Sequence, residues 1–254
     1  MSPCANEGQR CLIELENVSV RLSGKPILLE VSLKIFAGQH TLIVGKNGSG
    51  KSTLIKLMTR EIHPYAGVGS VKINGKSRLS QHQARLEIGA VAPHLERKLI
   101  HDPKLFDLVL SGAIGTLGVN EFGTPSQESY SHARELTAQF GISELGEMRV
   151  SEVSSGELKK AWMARALMPN PKVLVLDEPE VHLDAESVAK LHRDFERLAS
   201  CGVTLILVTH NYKSDLSPFN RVIELGDHKI QFDGSAADCY SRRHPEEFLD
   251  EPTQ

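Results

Sequence analysis

From Cys11 the chain alternates apolar and polar residues, Cys11-Leu-Ile-Glu-Leu-Glu-Asn-Val-Ser-Val20, as a strand with one buried face does. Ser23-Gly24-Lys25-Pro26 breaks that run, and a second strand is expected over residues 29–36, closed by the turn Ala37-Gly38-Gln39. The next run, Thr41-Leu-Ile-Val-Gly45, is continuously apolar and leads into a glycine-rich turn and a helix start. Asn74-Gly75, after residues 69–73, is a further hairpin signal. The first part of the chain is therefore expected to be antiparallel and rich in strands. Beyond Ile88-Gly-Ala-Val91 the period changes. Helical patterns cover residues 104–111 and 126–140, with a glycine-rich connection over 112–123, which predicts a helical subdomain over about 93–153. The remainder alternates: helix 156–167, strand 173–176, helix 185–199 with Val188, Leu191, Phe195 and Leu198 on one face, and strand 204–208. Continuous apolar strands between helices predict a buried parallel sheet, so the fold class is α/β with a mixed, mainly parallel core sheet. No internal repeat or low-complexity tract interrupts it.

Composition narrows the class without changing it. The 254 residues are 40% hydrophobic and 24% charged, ordinary for a globular protein of one or two compact units. No run approaches the roughly 18 apolar residues that span a bilayer, so a membrane anchor is not expected. Residues 1–10 have no apolar core after a basic start and read as a flexible leader rather than a secretory signal. Cys4, Cys11, Cys201 and Cys239 show no C-x-x-C spacing, which predicts unligated thiols. A formal net charge of -3 argues against bulk binding to nucleic acid, leaving only a local basic groove to consider.

The chemistry starts at Gly45-Lys-Asn-Gly-Ser-Gly-Lys-Ser-Thr53. The spacing Gly45-x-x-x-x-Gly50-Lys51-Ser52 puts residues without side chains where the backbone must curl, so that successive N–H groups can face phosphate oxygens. Lys51 adds a point charge, the helix start beside it adds its positive end, and the Ser52 hydroxyl is placed to ligate the Mg²⁺ of a nucleoside triphosphate. Residues 45–53 are thus the candidate nucleotide-binding segment: Gly45, Lys46, Asn47, Gly48, Ser49, Gly50, Lys51, Ser52 and Thr53.

Val173-Leu-Val-Leu-Asp-Glu-Pro179 ends an apolar strand in two acids. Such a pair is ordinarily a solvated turn, but ligands of open α/β sheets bind beyond the carboxyl ends of strands, where the phosphate loop also lies. Asp177 is the candidate metal ligand, and Glu178 the candidate base for the water that attacks the γ-phosphate. Thr209-His210 ends another apolar strand at the same expected edge, within reach of the γ-phosphate; a histidine there is as often structural as functional. Val153-Ser-Ser-Gly-Glu157 opens a helix with Ser154 as candidate cap, a common motif when taken alone.

In combination these motifs carry a resemblance. Phosphate loop, Ser-Ser-Gly-Glu, Asp-Glu-Pro, Val181-His-Leu-Asp184 and Thr209-His210, in that order, resemble the ATP-binding-cassette (ABC) ATPases over about residues 12–234. The resemblance implies a phosphate-loop cassette, residues 11–254 as a single nucleotide-binding domain, in which an antiparallel subdomain and a helical subdomain flank the core. It implies two cassettes packed head to tail, each ATP held by residues 45–53 of one copy and by the signature Ser154, Ser155, Gly156 and Glu157 of the other. Asp184 matches the loop that crosses the dimer, and His210 the family's switch histidine, so that Glu178 and His210 become the catalytic pair and Ser52 and Asp177 the Mg²⁺ pair. A separate membrane permease is the implied partner, with the cassette at its cytoplasmic face. The alternative is a soluble ABC ATPase acting on nucleic acid. Departures from the family pattern fall at Leu22, where many members carry an adenine-stacking aromatic, with Arg21 a neighbour that could cover the base instead. Ser155 and Glu157 stand where the signature usually has glycine and glutamine. Pro93 or His94 stands where a glutamine usually meets Mg²⁺ and the permease. That region, with Phe106-Asp-Leu-Val-Leu-Ser-Gly112, resembles a subgroup associated with molybdenum or metal-chelate import.

Overall fold

Alternating strands first and continuously apolar strands later give two sheets of different kind. The computed structural model describes residues 9–65, 69–99, 101–116, 125–210 and 217–243. The expected leader up to residue 8, residues 117–123 of the glycine-rich connection and residues 244–254 lie outside them.

Strands β1 (Cys11–Leu22) and β2 (Lys25–Phe36) form an antiparallel hairpin. Both run farther than the alternation indicates. Ser23 and Gly24 occupy left-handed positions, φ 50° and 78°, which is the two-residue type I′ turn that lets Leu22 pair with Lys25. Next come β3 (Thr41–Gly45), α1 (Lys51–Met58) and β4 (Ser70–Ile73), and β4 adds to the far side of β1 to complete a sheet in the order β2-β1-β4. Asn74 and Gly75 do form a tight turn, with reciprocal hydrogen bonds between Ile73 and Lys76. Only a single bridge follows it, and the chain enters α2 (Gln81–Glu87), started by a Ser80–Gln83 capping box. Then β5 (Ile88–Val91) precedes the helical stretch: α3 (Pro93–Glu96), α4 (Leu105–Leu110) and α5 (Gln127–Gln139), the last capped by Ser126. The α/β remainder is α6 (Ser155–Leu167), β6 (Val173–Asp177), α7 (Ala185–Ser200), β7 (Thr204–Thr209), β8 (Arg221–Gly226), β9 (Lys229–Ser235) and α8 (Ala236–Arg243).

The second sheet runs β5-β6-β7-β3-β8-β9, parallel through β8, with β9 antiparallel at its edge. Alternate residues of its central strands face opposite cores. Ile43, Val173, Val175, Ile206 and Val208 pack with α1 and the antiparallel sheet, while Leu42, Val44, Leu174, Leu176, Leu205 and Leu207 pack with residues of α4, α6 and α7. Both faces are covered, which is why these strands show no polar alternation. Because β6, β7 and β3 are parallel neighbours, their C-terminal ends share one edge, and register puts Asp177 opposite Val208 and Val44 opposite Thr209. Among the described residues, no helix is long and apolar enough to cross a membrane. Cys11, Cys201 and Cys239 are free thiols; Cys4 lies outside the described residues.

Candidate functional site

The glycine loop is shaped by sterics before it binds anything. Gly45 sits at φ 155°, and a Cβ there would lie 2.4 Å from the Leu225 carbonyl oxygen. A Cβ on Gly50, at φ 102°, would press on the Leu28 side chain at 2.8 Å. Gly50 also precedes α1 without a side-chain cap, so the first N–H groups of that helix are free to meet an anion at its positive end. Lys51 is only 6% exposed, and its ammonium folds back over the loop to the carbonyls of Gly45 and Lys46, at 2.8 and 3.1 Å. The Ser49 hydroxyl is buried within the loop with no hydrogen-bond partner, a donor that a phosphate oxygen would satisfy.

Beside the loop, at the end of β6, Asp177 is 5% exposed and Ser52 hydrogen-bonds to it. Burial pushes the Asp177 carboxyl up, and the Ser52 bond and the charges of His94 and Lys51 only partly offset that. Glu178 takes the left-handed conformation, φ 50°, at a cost of roughly 1–3 kcal/mol for a residue with a side chain. Its N–H is held by the Val208 carbonyl at 2.9 Å, and its Oε1 lies 3.1 Å from Nδ1 of exposed His210 at the end of β7. Lys51, Ser52, Asp177 and Glu178 border an open cleft of about 550 Å³ that the loop also walls, whereas Thr209 and His210 line, with Glu178, a second open cleft of about 790 Å³.

Pro93 and His94, at the place where the family pattern usually has a glutamine, wall the first cleft, and Ile27, Lys56 and Arg97, which the sequence reading did not assign, complete it. Lys56 lies four residues beyond Ser52 on α1 and so shares its face, a spacing that would have shown it. Glu61 carried no local signal. Its side chain, 6% exposed, accepts from His94 Nε2 at 2.9 Å and from Lys98 Nζ at 2.8 Å. Burial alone raises this carboxyl, but those two hydrogen bonds and charges outweigh it and hold the group at about 2. A folded-state value below the usual 4.5 means stability that is present above about 4.5 and lost as pH falls through about 2. Glu61→Gln is therefore expected to lower stability at pH 7 by on the order of 2–3 kcal/mol, with the difference from wild type vanishing toward pH 2. Denaturant titrations across that range check it; a pH-independent difference would assign the loss to packing.

Ser154, Ser155, Gly156, Glu157 and Asp184 stand elsewhere. Ser154 caps α6, its Oγ accepting from the Glu157 N–H at 3.3 Å while the Glu157 carboxylate accepts from the Ser154 N–H at 2.8 Å. The Ser154 hydroxyl and N–H hold the Glu157 carboxyl below its usual range. Ser155 Oγ donates to the His182 carbonyl at 3.2 Å. Asp184 caps α7, accepting from the Ser187 N–H and hydroxyl, so within this chain it fixes a helix start. Ser154, Gly156, Glu157, Leu183 and Ser187 line a third cleft of about 210 Å³ that shares no lining residue with the first. Leu22 is 47% exposed on the hairpin and is not among the residues lining the first cleft; Arg21 lies over the Tyr65 ring at 5.3 Å.

A glycine loop feeding a helix start, with acids on the neighbouring strand ends, defines a phosphate-loop nucleotide-binding protein. Comparison with known proteins makes this narrower. The family model described as ABC transporter matches residues 28–181. An uncharacterized ABC transporter ATP-binding protein of Bacillus subtilis, YlmA, is 30% identical over 95% of this chain and 92% of its own. The energy-coupling factor transporter ATP-binding protein EcfA2 of Streptococcus pyogenes is 34% identical over 78% of this chain and 72% of its own. The fold matches CbiO1 of Clostridium perfringens, part of the ABC transporter complex cbiONQ, with TM-score 0.77 over 95% of each chain at 24% identity. The chain belongs to the ABC transporter family, as an ATP-binding and ATP-hydrolysing cassette. ABC ATPases use Mg²⁺ with ATP.

Proposed function

We propose that this cassette hydrolyses ATP to drive transport through a separate permease, working as a head-to-tail dimer at the cytoplasmic face of a membrane. The observation that carries the reading is the meeting of Lys51, Ser52, Asp177 and Glu178 around one cleft while Ser154, Gly156 and Glu157 border another. Residues 45–53 hold the triphosphate of one ATP. The buried, unpartnered Ser49 hydroxyl supports that fit. Ser52 and Asp177 form an oxygen donor pair suited to Mg²⁺, which when bound neutralises charge on the phosphates. A cation there would reverse the burial that now holds the Asp177 carboxyl up. Glu178 accepts the proton of the attacking water, and His210 orients Glu178 through the 3.1 Å contact.

The signature cleft receives the ATP of a second copy. Gly156 supports this. A Cβ there would meet nothing nearer than 3.6 Å within the chain, so its own fold does not require glycine, which costs about 1 kcal/mol relative to alanine inside a helix. A close approach from outside the chain accounts for it. Asp184, at the start of α7, carries the loop that crosses to the partner. Residues 11–254 form one nucleotide-binding domain, its helical subdomain spanning about 93–153. The names of EcfA2 and of the complex containing CbiO1 favour transport over an action on nucleic acid. Purification from the native host in mild detergent tests this: a co-purifying membrane protein is expected, and RNA or DNA in its place overturns it.

Base recognition gives a further expectation. Without an aromatic at position 22, most affinity comes from the triphosphate. Arg21 is engaged with Tyr65. Leu22→Tyr should tighten ATP by about 0.5–1.5 kcal/mol, a few-fold to roughly tenfold, and GTP similarly. Fluorescent ATP analogues titrated into a Glu178→Gln background measure it; unchanged affinity would show that the base does not reach residue 22.

A further inference from the structure

Between α2, β5 and α6 lies a small cavity that ATP binding does not use. It holds about 30 Å³, and Arg85, Gly89, Gly112 and Arg165 are among the residues that line it. Two of its glycines bring backbone close to α6: a Cβ on Gly89 would lie 2.5 Å from the Ala166 carbonyl oxygen, and one on Gly112 would collide with that of Arg165. The cavity shares no lining residue with the three clefts described above, so what it binds can be tested independently of the nucleotide reading.

Arg165 is its unusual member. The residue is 7% exposed, and a guanidinium keeps its charge when buried, a state that ordinarily requires a carboxylate beside it. Among the described residues Arg165 meets only neutral groups. Its Nε donates to the Ser111 hydroxyl at 3.3 Å, its Nη2 to the Thr116 carbonyl, and its guanidinium carbon lies 5.2 Å from the centre of the Trp162 ring. Burial pushes the group down to about 10, and the charge of Arg85 pushes the same way. Arg85, half-buried in the last turn of α2, makes no hydrogen bond or ion pair among the described residues. Glu61, the acid that borders the cavity, is engaged by His94 and Lys98 instead.

We propose that this cavity is a binding site for a monatomic anion, a halide such as chloride, held between the guanidiniums of Arg85 and Arg165. The size suits such an ion, since a single water needs on the order of 10–15 Å³. A water in its place would offer lone pairs but leave two like charges facing each other where solvent is scarce. The halide supplies the counter-charge that the chain does not, accepts from both guanidiniums, and so ties α2 to α6.

Two measurements on the full chain test the site. Crystals transferred to sodium bromide are expected to show an anomalous bromide peak within hydrogen-bonding reach of both guanidiniums. Thermal unfolding is then compared in sodium gluconate and sodium chloride at equal ionic strength. Chloride should raise the wild-type melting temperature by about 2–4 °C and in a saturable way, the size of effect expected of a ligand at a few times its dissociation constant in a domain of this length. Arg165 is integral to the packing of α6, so the variants are made at half-buried Arg85. Arg85→Gln should lose the chloride-dependent rise, and Arg85→Lys should retain part of it. A cavity without bromide would overturn the proposal. A bromide peak accompanied by equal chloride shifts in wild type and Arg85→Gln would mean an adventitious ion only, and overturns it as well.

Discussion

Glu178→Gln is expected to bind Mg-ATP as the wild type does and to hydrolyse it on the order of 10²–10⁴ more slowly, the contribution general acid–base catalysis ordinarily makes. The geometry gives the reason. Asp177 is buried and bonded to Ser52, whereas Glu178 is half-buried and its Oε1 lies 3.1 Å from His210 Nδ1. The amide substitution keeps the shape and the contact with the histidine but removes the basic oxygen. Because release of the dimer follows loss of the γ-phosphate, the variant should also accumulate as an ATP-bound dimer, detectable by size-exclusion chromatography with ATP present. Near-normal steady-state hydrolysis would remove Glu178 from the role given to it.

What the sequence showed most directly was whatever is dictated by a few consecutive residues. The phosphate loop is readable because its glycines, lysine and serine sit close together in the sequence and the glycines answer a local need, Gly45, Gly48 and Gly50 taking positive φ of 155°, 81° and 102°. The sheet edge followed from β6 and β7, whose unbroken apolar runs need two covered faces and end in Asp177 and Thr209. Helix α6 was legible through its Ser154 cap and α7 through the apolar face of Val188, Leu191, Phe195 and Leu198; the caps of α5 and α7, Ser126 and Asp184, came only with the structure.

The parts that stayed hidden depend on distant partners or on unusual turn residues. Strands β8 and β9 form a hairpin whose turn, Asp227-His228, has both residues left-handed without a glycine, so the usual two-residue signal is missing. Yet β8 lies beside β3, and its Leu225 carbonyl is what forbids a side chain at Gly45. Ser80-Gln-His-Gln83 is a capping box that announces α2, overlooked because no apolar period follows it in seven residues. Glu61 could not be found at all by spacing. It is defined by His94, thirty-three positions away, and by Lys98 beyond it. Where the family pattern leads one to expect a glutamine, the wall holds Pro93 and His94, and the His94 ring meets a buried acid, a long-range fact.

Lys51→Ala is expected to lose nucleotide affinity while keeping the fold. Among the described residues the ammonium bonds the carbonyls of Gly45 and Lys46, both in the loop it serves. Two bonds from a charged donor to loop carbonyls are a modest contribution, and alanine is compatible with the helical backbone of α1. Thermal unfolding without nucleotide should therefore barely change. With nucleotide the two proteins should part, because a ligand that binds only the folded state stabilises it by RT ln(1 + [L]/Kd), about 2.7 kcal/mol at a hundredfold excess over Kd. Mg-ATP should raise the melting temperature of the wild type and leave that of Lys51→Ala in place at the same concentration. Equal shifts in the two proteins would mean that the triphosphate is held without this ammonium, and that the rest of the loop and the start of α1 suffice for binding.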